Sequence, residues 1–380
     1  MNPPTILIAP DSFKGTLTAA RAAGAIADGL RDARPDWSPQ CLPLADGGEG
    51  TLACVAAARH GRRRRARVVG IHGRPMHGDW LHLDDGSAVL ESARVLGLPL
   101  IGDDGPLLAA RGSGALGALI RAALDAGARQ IAVGLGGSAC NDCGLGLLTA
   151  LGADVRDARG RAVTPDLDGL RRAVAVDWRG LDPRLTATGL TALCDVDNPL
   201  LGPTGAARVY GPQKGLHGDE LAAVEAAMAR FAAAAGGEAL TTRPGAGAAG
   251  GLGFALALLG AALVPGAPHL IRLTGLDARL RSADAVVTGE GRSDAQTLSG
   301  KLPDAVAAAA ADAGIPAFLA SGDIDPAVRD RLAARFAGCV AATDLAGGAD
   351  RALRRPRYWL RRAAGELAPL IDAAAADTDR

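Results

Sequence analysis

The chain has 380 residues, more than one hydrophobic core usually supports, so two domains are expected. Its 41 basic and 41 acidic side chains cancel, which argues against a nucleic-acid surface. Aromatics are only 3% and Gly numbers 52, so the core falls to Ala, Val, Leu and Ile in α/β layers joined by tight turns.

Met1-Asn2-Pro3-Pro4 carries no positive charge, and the apolar run Thr5 to Ala9 is too short for the core of an export signal. With 6 Cys in so long a chain, a reduced, cytoplasmic setting is expected. The run at 5–9 reads as a strand ending in Pro10-Asp11-Ser12. A helical stretch from Leu17 to Leu30 follows, capped by Thr16 or Thr18. The same grammar recurs. Cys41 to Ala45 runs into Asp46-Gly47-Gly48-Glu49-Gly50-Thr51, and Gln130 to Leu135 into Gly136-Gly137-Ser138. Leu190 to Cys194 enters Asp195-Val196-Asp197-Asn198-Pro199, Ala283 to Thr288 enters Gly289-Glu290-Gly291-Arg292, and Ile315 to Ala320 enters Ser321-Gly322-Asp323. Strands alternating with helices predict parallel sheets with right-handed crossovers, whose ligands bind at the carboxyl ends of strands. Every polar, glycine-rich motif lies at such an end.

Pro244 to Pro268 has no charge; its apolar part, Leu252 to Val264, is too short to span a bilayer and reads as a buried core helix. The Arg62 to Arg67 run, and Arg354 to Arg362 with Tyr358 and Trp359, read as solvated helix faces rather than an RNA surface. The resulting layout is an α/β protein of two domains. A Rossmann-like parallel-sheet domain is formed by residues 1–65 and 270–380, a second α/β domain is inserted over 66–269, and the active site is expected in the cleft between them.

Only three of the 41 basic residues are Lys, namely Lys14, Lys214 and Lys301, and each stands in a Gly-flanked motif. A compact ammonium beside phosphate oxygens is not replaceable by a planar guanidinium, so these are candidate phosphate contacts. Two glycine loops could cradle phosphates with backbone amides. One runs from Gly134 to Asp142 and includes Gly136, Gly137, Ser138 and Asn141; the other contains Gly245, Gly247 and Gly250. The second formally matches G-x-G-x-x-G, but no strand precedes it and no acidic residue follows at the dinucleotide spacing. No Gly-Lys is followed by Ser or Thr, so no P-loop is present. Carboxylates gather in the same loops: Asp11, Asp46, Glu49, Asp142, Asp195, Asp197, Glu290 and Asp294. Alternation in Asp195-Val196-Asp197 puts two on one side, suited to Mg²⁺. Cys140-Asn141-Asp142-Cys143 lacks the second pair a structural zinc site needs, and the six His lie outside the glycine motifs, which disfavours a histidine triad.

Seven strings in order resemble the type I bacterial glycerate kinases: Ala9 to Ala19, Pro43 to Thr51, Gly134 to Asp142, Cys194 to Gly202, Tyr210 to Gly215, Pro244 to Gly251 and Thr288 to Lys301. The resemblance covers about residues 5 to 325 and implies ATP and D-glycerate as substrates, Mg²⁺ as cofactor and phosphoglycerate as product, the 2-phosphate favoured. A same-fold kinase for another small hydroxy acid is the alternative. The setting implied is glyoxylate, glycolate or sugar-acid catabolism, with small-molecule partners, no nucleic acid, no membrane, and a homodimer left open. On this basis Lys14, Asp46 and Asp195 are assigned to catalysis, and Asp195, Asp197 and Glu290 to the metal. Ser12, Arg292, Asp294 and Lys301 are assigned to glycerate. Gly136, Gly137, Ser138, Asn141, Asp142, Lys214, Gly245, Gly247 and Gly250 are assigned to nucleotide phosphates. Lys14 would neutralise the transferring phosphate, Asp46 accept the hydroxyl proton and Arg292 clamp the carboxylate. The chain departs from the family pattern at Cys140 and Cys143, where Thr and Gly are usual. It departs again after Pro106, at Ala109, Ala110 and Ala115, the last in place of Glu.

Overall fold

The computed structural model describes residues 4–102 and 107–378. Met1 to Pro3 of the export-signal argument and Pro106 of the family pattern lie outside the described residues. The strands in chain order are β1 (Ile6–Ile8), β2 (Gln40–Cys41), β3 (Gly61–Val69), β4 (Pro75–Leu83), β5 (Ser87–Glu91), β6 (Gln130–Gly134), β7 (Asp154–Arg156) and β8 (Ala175–Asp177). They continue with β9 (Gly189–Leu193), β10 (Ala262–Val264), β11 (Ala285–Thr288), β12 (Arg292–Ser293), β13 (Ala317–Ser321), β14 (Asp323–Ile324) and β15 (Gly338–Ala341). The chain divides into two compact units. The first takes residues through Asp46, Ala53–Arg59 and those from Ala267 onward; the second takes Gly47–Leu52 and His60–Gly266.

The first unit is a parallel five-stranded sheet in the order β15-β13-β11-β1-β2. The chain steps to one side of β1 to make β2 and later returns on the other side to lay down β11, β13 and β15. The order reverses between β1 and β11, and doubly wound sheets open a crevice at such a point. The two-residue side-chain period sorts the strands cleanly. Leu7, Val286 and Leu319 enter one core with Leu302 and Val306, whereas Ile6, Ile8, Val287 and Phe318 enter the other with Ile26, Leu360 and Ile371. Both faces are covered by helices, so the strands read as continuous apolar runs. Thr18 caps helix Ala19–Ala33, its side chain accepting from the Arg21 amide. The run Cys41 to Ala45 is a strand only at its start, but Leu42 and Leu44 still donate to Ile8 and Pro10 carbonyls, at 2.8 and 3.0 Å.

The second unit holds a six-stranded sheet, β10-β9-β6-β5-β4-β3, parallel from β10 to β5 and antiparallel through β4 and β3. The Arg62 to Arg65 run is not a helix face: it lies exposed on edge strand β3, where charge deters pairing with another chain. Asp79 on β4 gathers Arg63, Arg65 and, from helix Ala93–Leu96, Arg94. The apolar stretch Leu252 to Val264 also differs from expectation. Helix Ala248–Leu258 ends early, and Gly260 with φ +86 turns the chain into β10. Among the described residues no helix is long and apolar enough to cross a membrane.

Candidate active site

In the first unit, the loops that leave the carboxyl ends of all five strands line one cavity of about 460 Å³. Asp11, Ser12 and Lys14 follow β1, Asp46 follows β2, Glu290 and Arg292 follow β11, Asp323 follows β13 and Thr343 follows β15. Asp294 and Lys301, further along the chain from β11, complete the charged part.

Asp11 is buried, and its Oδ1 accepts the Ser12 amide at 2.6 Å. Burial, and then the neighbouring Asp46 carboxylate, push its carboxyl up to about 7, against the opposing pull of the Ser12 amide and the Lys14 ammonium. Glu290 is also raised, chiefly by burial, although its Oε1 accepts the hydroxyls of Thr297 at 2.6 Å and Ser293 at 3.1 Å. Ser293 meets Ser321 at 2.6 Å, which ties the β11 loop to the end of β13. The Lys301 charge steadies Glu290 from the N-terminus of helix Leu302–Asp312. Lys14 is exposed. Arg292 is only loosely held, 3.8 Å from Asp323 and 3.7 Å from Asp325, with 64% of its side chain open to solvent. Three cations thus face a recessed group of carboxylates. Such an arrangement can bind an anionic substrate and accept a proton beside it.

Lys14, Asp46, Ser12, Arg292, Asp294, Lys301 and Glu290 are therefore brought together in one unit. Asp11, the most perturbed carboxylate there, has no role in the sequence assignment. Its sequence signal, a carboxylate directly after an apolar strand, is shared by too many turn residues to single it out.

The second unit places its candidates differently. Asp142 is fully buried and its carboxylate accepts four donors: Ser113 N and Oγ at 2.7 Å, Gly146 N at 3.0 Å and Gly144 N at 3.2 Å. It fastens its own loop to helix Gly114–Asp125 instead of facing a ligand. Lys214 is also buried, donating to the Cys140 carbonyl at 2.9 Å and Ser138 Oγ at 3.4 Å, and burial draws its ammonium pKa down. Neither polar atom of the buried Asn141 amide has a partner among the described residues. The glycines admit backbone rather than leaving open space. A Cβ on Gly250, whose φ is +70, would stand 2.2 Å from the Cys140 carbonyl oxygen. One on Gly247 would stand 2.2 Å from the Pro199 oxygen, and Gly136 and Gly245 are blocked by Gly48 and Cys194. Gly137 alone of these lies exposed.

Asp195 Oδ1 accepts the Gly266 amide at 2.7 Å, at the start of helix Gly266–Thr274, and Asp197 is exposed. Among the described residues no group of three or more His, Cys, Asp or Glu side chains is placed to hold a metal ion. Of the departures, Ala115 is buried in the core of the second unit, as are Cys140 and Cys143. Burial pushes the Cys140 thiol up to about 12.

The sequence model described as the Glycerate kinase family matches residues 6–372. The chain belongs to the glycerate kinase family. It is 40% identical over 380 residues to a glycerate kinase of Bacillus subtilis (strain 168), covering 97% of this chain and 98% of the relative. It is 40% identical over 311 residues to a glycerate 2-kinase of Escherichia coli (strain K12), covering 80% and 81%. A crystal structure of a Salmonella typhimurium LT2 protein assigned as glycerate kinase 2 superposes with a TM-score of 0.82 at 36% identity, over 98% of this chain and 99% of that one. This member of the glycerate kinase family is thus a kinase enzyme of mixed α/β fold. The family match extends well beyond residue 325, where the motif resemblance thins.

Proposed function

We propose that this kinase transfers the γ-phosphoryl group of ATP to the 2-hydroxyl of D-glycerate, with Mg²⁺ present, giving 2-phosphoglycerate and ADP. One observation carries the reading: Lys14, Arg292 and Lys301 surround the recessed carboxylates Asp11, Asp46 and Glu290 at the strand ends of one sheet. Phosphoryl transfer requires little of a protein beyond positioning, neutralisation of phosphate charge and a proton acceptor.

The loosely held Arg292 guanidinium takes the glycerate carboxylate as a fork, with Ser12 and Asp294 on the hydroxyls. Lys14 and Lys301 oppose the charge on the transferring group. Asp46 receives the hydroxyl proton as the acceptor oxygen bonds to phosphorus and the bond to ADP breaks. Asp11, its carboxyl pushed up to about 7 by burial and then by the Asp46 charge, stands ready to take up that proton in turn. Mg²⁺ needs only one or two carboxylates beside its waters and phosphate oxygens, so a pair from Asp11, Asp46 and Glu290 would hold it. When bound it would offset phosphate charge.

The test is turnover of the purified protein with ATP, Mg²⁺ and D-glycerate, the product being offered directly to enolase. Consumption without a mutase supports 2-phosphorylation, and a requirement for the mutase points to the 3-hydroxyl. Turnover confined to other acids in an acceptor panel would overturn glycerate as the substrate.

A further inference from the structure

Glycerate is a three-carbon polar acid, and phosphates are charged, so neither needs an apolar wall. The first-unit cavity nevertheless has one. Helix Ala349–Arg354 supplies Ala349, Ala352 and Leu353, and the start of helix Pro356–Gly365 supplies Pro356. Leu353 is 60% exposed although it lines a cavity whose other sides carry charge. At about 460 Å³ the cavity falls in the ~300–1,000 Å³ range of sites that enclose drug-sized ligands, and a three-carbon acid leaves much of it empty. The lining also holds a polar pair: Thr343 Oγ1 donates to Asp323 Oδ1 at 2.9 Å, and the other carboxylate oxygen of Asp323 lies 3.8 Å from Arg292. Such a lining suits an occupant that combines an apolar part, hydroxyls and an anionic group.

We propose that the wall is the nucleoside subsite. The purine base of the phosphoryl donor lies against Ala349, Ala352, Leu353 and Pro356, the ribose hydroxyls meet Asp323 and Thr343, and the phosphate chain runs toward Lys14 and Lys301. This rests on the reading above that the donor is ATP, and it gives the nucleoside a place on the last helices of the first unit.

The experiment compares wild type with Leu353→Asn and Ala349→Trp. Both positions are exposed, and folding is checked by circular dichroism. Binding of unmodified ADP is titrated by calorimetry without glycerate, and KM is measured for ATP and for glycerate separately. The expected result is at least a tenfold weaker ADP affinity and a tenfold higher ATP KM in both variants, with glycerate KM within twofold. Folded variants that keep wild-type ADP affinity overturn the subsite, as does a rise confined to glycerate KM, which would put the acid on the wall. Wild-type protein that binds no ADP and consumes no ATP with any acid of the acceptor panel overturns the donor itself, a failure distinct from that of the wall alone.

Discussion

Lys14 and Asp11 sit three residues apart at the end of β1 and pull in opposite senses, one supplying charge and the other resisting it. Replacing Lys14 by Ala is expected to lower kcat by at least ~10²-fold, about 3 kcal/mol of transition-state stabilisation, as measured by steady-state ATP turnover. Lys14→Arg should restore little, since a planar fork does not reproduce a point ammonium. Asp11 carries a pH signature. Its folded pKa is raised from 3.8 to about 7, so its contribution favours the folded state fully below pH ~4 and is lost as pH rises to about 7. Asp11→Asn should therefore unfold at a higher temperature than wild type at pH 8, with the gap closing near pH 4, in thermal melts across that range. The acid limb near pH 7 expected for wild-type kcat/KM should shift or vanish in the same variant. An unmoved limb would remove Asp11 as its source.

Among the elements, the loop Gly134–Asp142 and the left-handed turn at residues 249–251, within Ala248–Leu258, meet backbone to backbone, which makes their glycines packing residues. Gly250→Ala must adopt φ +70 and bring a Cβ within 2.2 Å of the Cys140 oxygen. Gly160, with φ +74 and nothing within 4 Å, pays only the conformational penalty. Urea denaturation should show Gly160→Ala losing about 1 kcal/mol and Gly250→Ala at least 2–3 kcal/mol. Equal losses would mean that the loop relaxes freely. Cys143 stands in the same region with φ +54, a left-handed conformation for a residue other than Gly, at a position where the family resemblance expects Gly. Asp195 and Asp142 illustrate how alike a ligand and a fastener look in sequence. Each is a carboxylate after a strand, and only the amides opposite them, Gly266 for one and Gly144 and Gly146 for the other, separate the roles.

At the scale of the whole molecule, the first unit draws its core from both ends of the chain. Leu360, Leu367 and Ile371 pack with Ile6, Ile8 and Ile26, and Gly29 lies so close to the Arg361 carbonyl that a Cβ there would be 2.0 Å away. A chain stopped after Arg355 should therefore lose the fold of the first unit rather than a dispensable tail. Calorimetry should show one unfolding transition missing while the second unit still melts, and kinase activity should be absent.

The local alternation of apolar runs with Gly- and Asp-bearing loops was enough to determine α/β layers with parallel strands, because those follow from side-chain periodicity and turn chemistry within a few residues. The family was legible for the same reason, since its motifs are short contiguous strings. Tertiary structure alone decided which motifs share a cavity. It gathered Asp11, Lys14, Asp46, Glu290 and Arg292 at one sheet, turned Asp142 and Lys214 inward as loop braces, and set an arginine run on an edge strand where a helix face was expected. Burial, pKa and close backbone approach depend on atoms brought from hundreds of positions away, and no local pattern encodes what will stand opposite a side chain.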